Sequence, residues 1–304
     1  MNTNIDSNEI HRENVEARRN DSRSTEELIH LALTAEDEDT MWELVPILWY
    51  RDAGEVLAVS QQLVASNDPK RRQLGANILG QLDIPERVSP HDSLAVLLPL
   101  LEQEQNPAVL SAIAVALGHI GDPRIVEPLT RLKNHLDSDV RFGVVQGLSG
   151  QNDESAIASL IELSTDPDPQ VRDWATFELG SIGDTDTPAV RDALWMRVSD
   201  QDNNTRREAL RGLAKRGDAR VVEPLLEELA QARVDGNTAG YNADEESAAW
   251  YQDAVMYDAI VEAGKQLGDP RLYQPLLSVQ GLDGQDAGPE DLVEALNRCK
   301  PKTL

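Results

Sequence analysis

Cysteine is almost missing from these 304 residues: Cys299 stands alone, so the chain can form no internal disulfide and no cysteine-based zinc site. Phenylalanine occurs only at Phe142 and Phe177, and aromatic residues make up 4% of the sequence, so any core must be built from Leu, Ile, Val and Ala. Positive charge is scarce as well. A net charge of −26 disfavours non-specific binding to nucleic acid or an anionic membrane, both of which need cations, and favours basic partners. A host with a salty or acidic proteome accounts for the same excess, and the preponderance of Arg over Lys fits that account equally. Long apolar runs are also lacking: the longest, Leu94 to Leu101, is too short to cross a bilayer. Met1 to Asp21 scatter their charges with no apolar centre, so neither a signal peptide nor a membrane span is expected, and a cytoplasmic location is.

What is present is a repeat. Asp168-Pro169-Gln170-Val171-Arg172-Asp173-Trp174-Ala175 and the residues on to Gly183-Asp184 return closely at Asn106 to Asp122. The pattern is looser at Asp137 to Asp153, carries a basic face at Asp202 to Asp218, and continues at Asp68 to Leu82 and Asp253 to Asp269. Each copy opens on an Asp or Asn suited to cap a helix, often with Pro at the first helical position, where a missing N–H costs nothing. Four residues after the cap comes Arg72, Arg141, Arg172 or Arg206. Apolar residues then follow at helical spacing, such as Val109, Ile113, Leu117 and Ile120, or Val171, Ala175, Leu179 and Ile182. Gly121, Gly183, Gly217 and Gly268 stand where helices end in a left-handed residue, and Asp follows each as the cap of another helix. Six residues beyond that Asp, Pro128, Pro224 and Pro275 recur at one offset, where an internal proline bends a helix.

Antiparallel helix pairs repeating every ~31 to 38 residues, with a kinked first helix and an Asp…Val-Arg…Ala…Leu-Gly second helix, resemble HEAT repeats. They resemble in particular the short bacterial HEAT-like type found in phycobilin lyase subunits. The resemblance implies an all-α fold, an α-solenoid of about seven antiparallel helix-pair repeats forming a right-handed superhelix.

Along the chain, residues 1–23 are polar and are expected to form a disordered arm. A single solenoid then spans residues 24–299, followed by a tail over 300–304. Its first pair carries Trp42, Trp49 and Tyr50, large rings suited to closing an open end of the stack. An inserted loop at about 233–247 has no periodicity and holds Tyr241, a second candidate for contact with a partner.

The search for chemistry is mostly negative. The sequence has no Walker-type phosphate loop, no Gly-x-Ser-x-Gly elbow and no Cys–His pair suited to nucleophilic catalysis. Deoxyhypusine hydroxylases of similar repeat type hold iron with His-Glu pairs, but none of His11, His30, His91, His119 and His135 is followed by Glu. No catalytic residue, metal or cofactor is therefore assigned. HEAT-like DNA glycosylases bind duplex in a basic groove, which a charge of −26 opposes.

If the apolar stripe of each second helix faces inward, the positions five and nine after the cap face away from it at about 100° per residue. These rows place Phe142, Gln146, Asp173, Phe177, Arg207 and Arg211 on one wall, with Lys215 beyond. Large rings facing solvent point to a contact surface, and Arg207, Arg211 and Lys215 to an acidic peptide or another anionic group. The expected function is a non-catalytic protein-binding scaffold or adaptor using the concave face of the solenoid. Its partner is another protein or an extended peptide segment, to which a shallow wall is better suited than to a small molecule; nucleic acid and membrane are excluded. Two alternatives remain at this point: a phycobilin lyase-like subunit handling a bilin chromophore, and an acidic inhibitor or immunity-type protein that occupies a basic partner.

Overall fold

The computed structural model describes residues 14–82, 90–235, 243–279 and 286–301, and among these there is helix but no strand. The chain divides into two compact units, Met1–Leu148 and Ser149–Leu304. In unit 1 the helices are α1 (Thr25–Thr34), α2 (Glu38–Leu48), α3 (Ala53–Val64), α4 (Pro69–Gly80), α5 (Pro90–Gln103), α6 (Pro107–Ile120), α7 (Val126–Thr130) and α8 (Ser138–Gly147). Unit 2 holds α9 (Glu154–Leu163), α10 (Pro169–Phe177), α11 (Pro188–Arg197), α12 (Asn203–Lys215), α13 (Val222–Asp235), α14 (Ala243–Leu267), α15 (Tyr273–Ser278) and α16 (Pro289–Cys299). The second helix of each pair packs beside the second helix of the next: α4, α6 and α8 in unit 1, and α10, α12, α14 and α16 in unit 2. This is the α-solenoid architecture, and its core is distributed along the stack.

Local sequence sets the helix starts. The side chains of Asp37, Asp52, Asp68, Asn106, Asp137, Asp153, Asp168 and Asp202 each accept from an N–H of the first turn that has no intrahelical partner. The apolar stripe then faces inward: Val109, Ile113, Leu117, Val171, Ala175 and Leu179 are all buried. Ile182, by contrast, is 46% exposed. It lies in a π turn, Glu178–Ile182, that shifts the helical phase at the end of α10.

The π turn also corrects the reading of Gly183. Gly121, Gly217 and Gly268 are left-handed, with φ between 61° and 71°, whereas Gly183 is extended at φ −72°. Its N–H reaches back to the Glu178 carbonyl at 2.8 Å, so the wider turn ends this helix without a left-handed residue. The recurrent prolines act differently from mid-helix kinks. Pro128, Pro224 and Pro275 are each the third residue of an α-helix that follows a 3-10 turn: Pro123–Ile125, Ala219–Val221 and Pro270–Leu272. The missing N–H therefore falls within the first α turn.

The recurrent arginine fastens one turn to the next. Nη1 of Arg72, Arg141, Arg172 and Arg206 donates to the carbonyl six residues earlier, at 2.8–3.0 Å, in the turn just before its own helix. The other edge of the guanidinium reaches an acid further along: Arg72 to Glu104, Arg172 to Asp200, Arg206 to Glu228. Glu104 and Asp200 in turn accept from the N–H groups of Asn106 and Asp202, the next caps. One side chain thereby links two turns and the start of a third helix.

Two expected irregular stretches are more ordered than the sequence suggests. Residues 14–19, within the expected arm, are helical; Arg19 lies over the Tyr50 ring at 5.6 Å, and Arg51 donates to the carbonyls of Asp21 and Arg23 at 2.6 and 2.9 Å. The polar composition hid these long-range anchors. Of the expected loop at 233–247, residues 233–235 are helical at the end of α13 and residues 243–247 at the start of α14, where Ala and Glu favour helix, while 236–242 lie outside the described residues.

Candidate functional site

In unit 2 the backbones of α10 and α12 approach closely because two glycines meet. A Cβ on Gly212 would lie 2.5 Å from the Gly180 Cα, so neither position has room for a side chain. Beside this crossing lies Arg216, nearly buried. Its guanidinium donates to the carbonyls of Leu179, Gly180, Gly183, Thr185 and Gly212 at 2.6–3.1 Å. Burial lowers its pKa, yet an arginine stays protonated, and five carbonyl oxygens from the π turn, the segment just after it and α12 hold the charge. Arg216 belongs to the basic copy at Asp202 to Asp218, and the fold uses it as a structural plug.

On the other side of the crossing the polar groups are acidic. Asp173, Trp174, Phe177, Asn204 and Glu208 line a cleft of about 170 Å³. Trp174 is 37% exposed and meets Phe177 edge to face, with ring centroids 5.6 Å apart and planes at 75°. Burial, together with the charges of Asp202 and Glu208, pushes the Asp173 carboxyl up to about 6, against weaker lowering by Thr205 and Arg172. Thr205 Oγ1 donates to Asp173 at 3.3 Å, and Ser181 Oγ to the buried Glu208 at 2.5 Å. Next to the cleft, at the start of the π turn, Glu178 is buried and pushed up to about 7, chiefly by desolvation.

The residues expected on one wall fall in both units. Phe142 and Gln146 lie on α8 of unit 1, both half-buried, with the Gln146 Nε2 enclosed and without a hydrogen-bond partner. Asp173 and Phe177 come together in the unit 2 cleft. Arg207, Arg211 and Lys215, expected to project toward a groove, are engaged with acids of the chain itself. Arg207 donates to Glu228 at 3.1 Å. Arg211 is 6% exposed and pairs with Asp258 at 3.5 Å and with Asp286, while Asp258 also accepts from the N–H of Ala287 at 3.0 Å. Lys215 donates to Asp184 at 2.8 Å and to the Ser181 carbonyl at 3.2 Å. For Arg211 the physical reason is packing, since α14 and residues 286–287 lie over its part of α12; Glu228 of α13 covers Arg207, while Lys215 stays exposed. Tyr241 lies outside the described residues.

Sequence reasoning missed Trp174, Asn204 and Glu208. Trp174 and Glu208 both stand six residues after their caps, where other copies have Ala112 and Gly143. A polar or aromatic side chain at a position that is apolar or small in those copies was the available signal. Among the described residues no group of three or more His, Cys, Asp or Glu is placed to hold a metal ion, and no helix is long and apolar enough to cross a membrane.

Comparison with known proteins agrees with this architecture. Residues 94–180 and 158–239 match HEAT repeats. Protein YibA of Escherichia coli strain K12 is 28% identical over 237 residues, 76% of this chain and 76% of that protein. The X-ray structure of E. coli YibA is similar with a TM-score of 0.69 at 21% identity, over 99% of this chain and 100% of that one. The complex of CpcE and CpcF of phycocyanin lyase from Nostoc is similar with a TM-score of 0.48 at 20% identity, over 80% of this chain and 93% of that one.

Proposed function

This chain is a HEAT-repeat protein, and from that premise we propose that it is a non-catalytic scaffold or adaptor that binds another protein through the surface where α10 and α12 meet. The observation that carries the reading is the Trp174–Phe177 pair: two of the few rings in the chain meet at the mouth of a cleft, one of them partly open to solvent. Exposed aromatic anchors bordered by polar groups are typical of the residues that dominate protein interfaces. The size of the cleft supports a side chain rather than a cofactor as the occupant, since 170 Å³ is below the roughly 300–1,000 Å³ of small-molecule sites. The same comparison, and two carboxylates in the lining, disfavour a bilin chromophore here.

Affinity capture from the native lysate at two salt concentrations tests the proposal, comparing wild type with Trp174→Ala/Phe177→Ala. The expected result is a partner lost from the variant at both salts. Identical partners with both baits, all released by salt, would move the function to the acidic exterior instead.

A further inference from the structure

We propose, building on the scaffold reading, that the cleft receives an arginine side chain of the partner protein, its guanidinium laid against the Trp174 ring and paired with the Asp173 carboxylate. The lining chemistry selects a cation: two carboxylates, one amide and two rings, with the charge of Asp202 adding to the negative field. Arg172, whose charge also reaches Asp173, is committed elsewhere. Its Nε and Nη2 donate to Asp200 at 2.8 and 3.0 Å, and its Nη1 to the Asp166 carbonyl at 2.9 Å. A neutral hydroxyl, that of Thr205, is the donor seen on Asp173 itself, at 3.3 Å, and it also reaches Asp202 at 3.1 Å.

Arginine is favoured over lysine for a reason the chain displays internally. Arg220 lies over the Trp195 ring at 5.3 Å while donating to Asp192 and Asp218 at 2.9 and 2.7 Å. There, indole, carboxylate and guanidinium form one unit, in which the planar cation stacks and hydrogen-bonds at once, as an ammonium does not. The Trp174–Asp173 cleft presents the first two members of that unit to the outside. The charge of the whole chain, −26, draws the same kind of partner.

The test uses the full chain and three acetylated, amidated peptides of sequence Gly-Ser-Xaa-Ser-Gly, with Xaa arginine, lysine or citrulline. Binding is followed through the indole N–H resonance of Trp174, assigned with Trp174→Phe. The arginine peptide should shift this resonance saturably, and the citrulline peptide, which keeps the shape and loses the charge, should not. Asp173→Asn should weaken the arginine peptide at least about fivefold, Asp173→Glu should restore part of the loss, and wild-type affinity should fall as pH drops through the Asp173 titration. The assignment is overturned by equal shifts from arginine and citrulline, by equal affinity for arginine and lysine, or by Asp173→Asn binding like wild type. Native chemical shifts elsewhere in the Asp173→Asn spectrum separate a lost contact from a lost fold. Capture of the native partner distinguishes the two levels of the reading. A partner lost from Trp174→Ala/Phe177→Ala but kept by Asp173→Asn leaves the scaffold standing without the arginine, whereas a partner kept by both variants removes the two together.

Discussion

The two ends of α12 handle charge in opposite ways. Near the C-terminal end, the Arg216 guanidinium is buried with a carbonyl on each of its nitrogens. Near the N-terminal end, Asp173 and Glu208 sit among other acids and meet hydroxyl donors from Thr205 and Ser181. The first arrangement is complete and holds the π turn against its neighbour. The second is electrostatically expensive, as the upward displacement of Asp173 shows, and a folded chain with 54 acids had many cheaper ways to place one. In this molecule Arg216 serves the fold, and the proposed contact surface is made of carboxylates and rings.

Breaking the complete end should have the largest effect. Arg216→Met leaves five carbonyls without their donor and should cost about 3–5 kcal/mol in urea denaturation, as loss of one side of a buried polar network does. Next comes the crossing between the two ends: Gly212→Ala puts a Cβ on the Gly180 backbone and should cost about 1–3 kcal/mol by overpacking.

Neutralising a carboxyl that burial has displaced should stabilise, with a definite dependence on pH. Glu178 titrates at about 7 in the fold against 4.5 for the free group. A carboxyl raised in this way contributes most stability below pH 4.5 and loses that contribution as pH rises through 7. Glu178→Gln should therefore gain on the order of 2 kcal/mol at pH 8 and nearly nothing at pH 4, read from urea midpoints at the two values. Asp173→Asn has the same sign in a lower window, between 3.8 and about 6. Its gain should be smaller, on the order of 1 kcal/mol, because solvent reaches the half-buried Asp173 and screens it. Should Asp173→Asn prove destabilising, the cleft would be a satisfied structural site and the contrast with Arg216 would disappear.

Much of the fold was legible in the sequence because its determinants are local. A cap, its following proline and an apolar stripe act within one helix, so Asp168, Pro169 and Val171 behave as their order implies. The arginine four residues after the cap recurs visibly in the sequence, but its acceptors, the carbonyls of the preceding turn, are given by the fold. The proposed binding surface was only partly legible. Counting around a helix put Asp173 and Phe177 on one face, and both line the unit 2 cleft, but the same count placed Arg211 in solvent, and it is buried. Periodicity gives an angle about a helix's own axis; it does not say which arc a neighbouring helix covers.

The sequence by itself determined the unit of this protein: where helices begin, which stripe they bury, and that the net charge is negative. Those are matters of residues a few positions apart and of composition. Only the tertiary structure decided that Gly180 would meet Gly212, that α10 would end in a π turn plugged by Arg216, and that Trp174 would stand beside Asp173 and Glu208 at the mouth of a cleft. Each of these depends on the distance between backbones some thirty residues apart, and packing sets that distance.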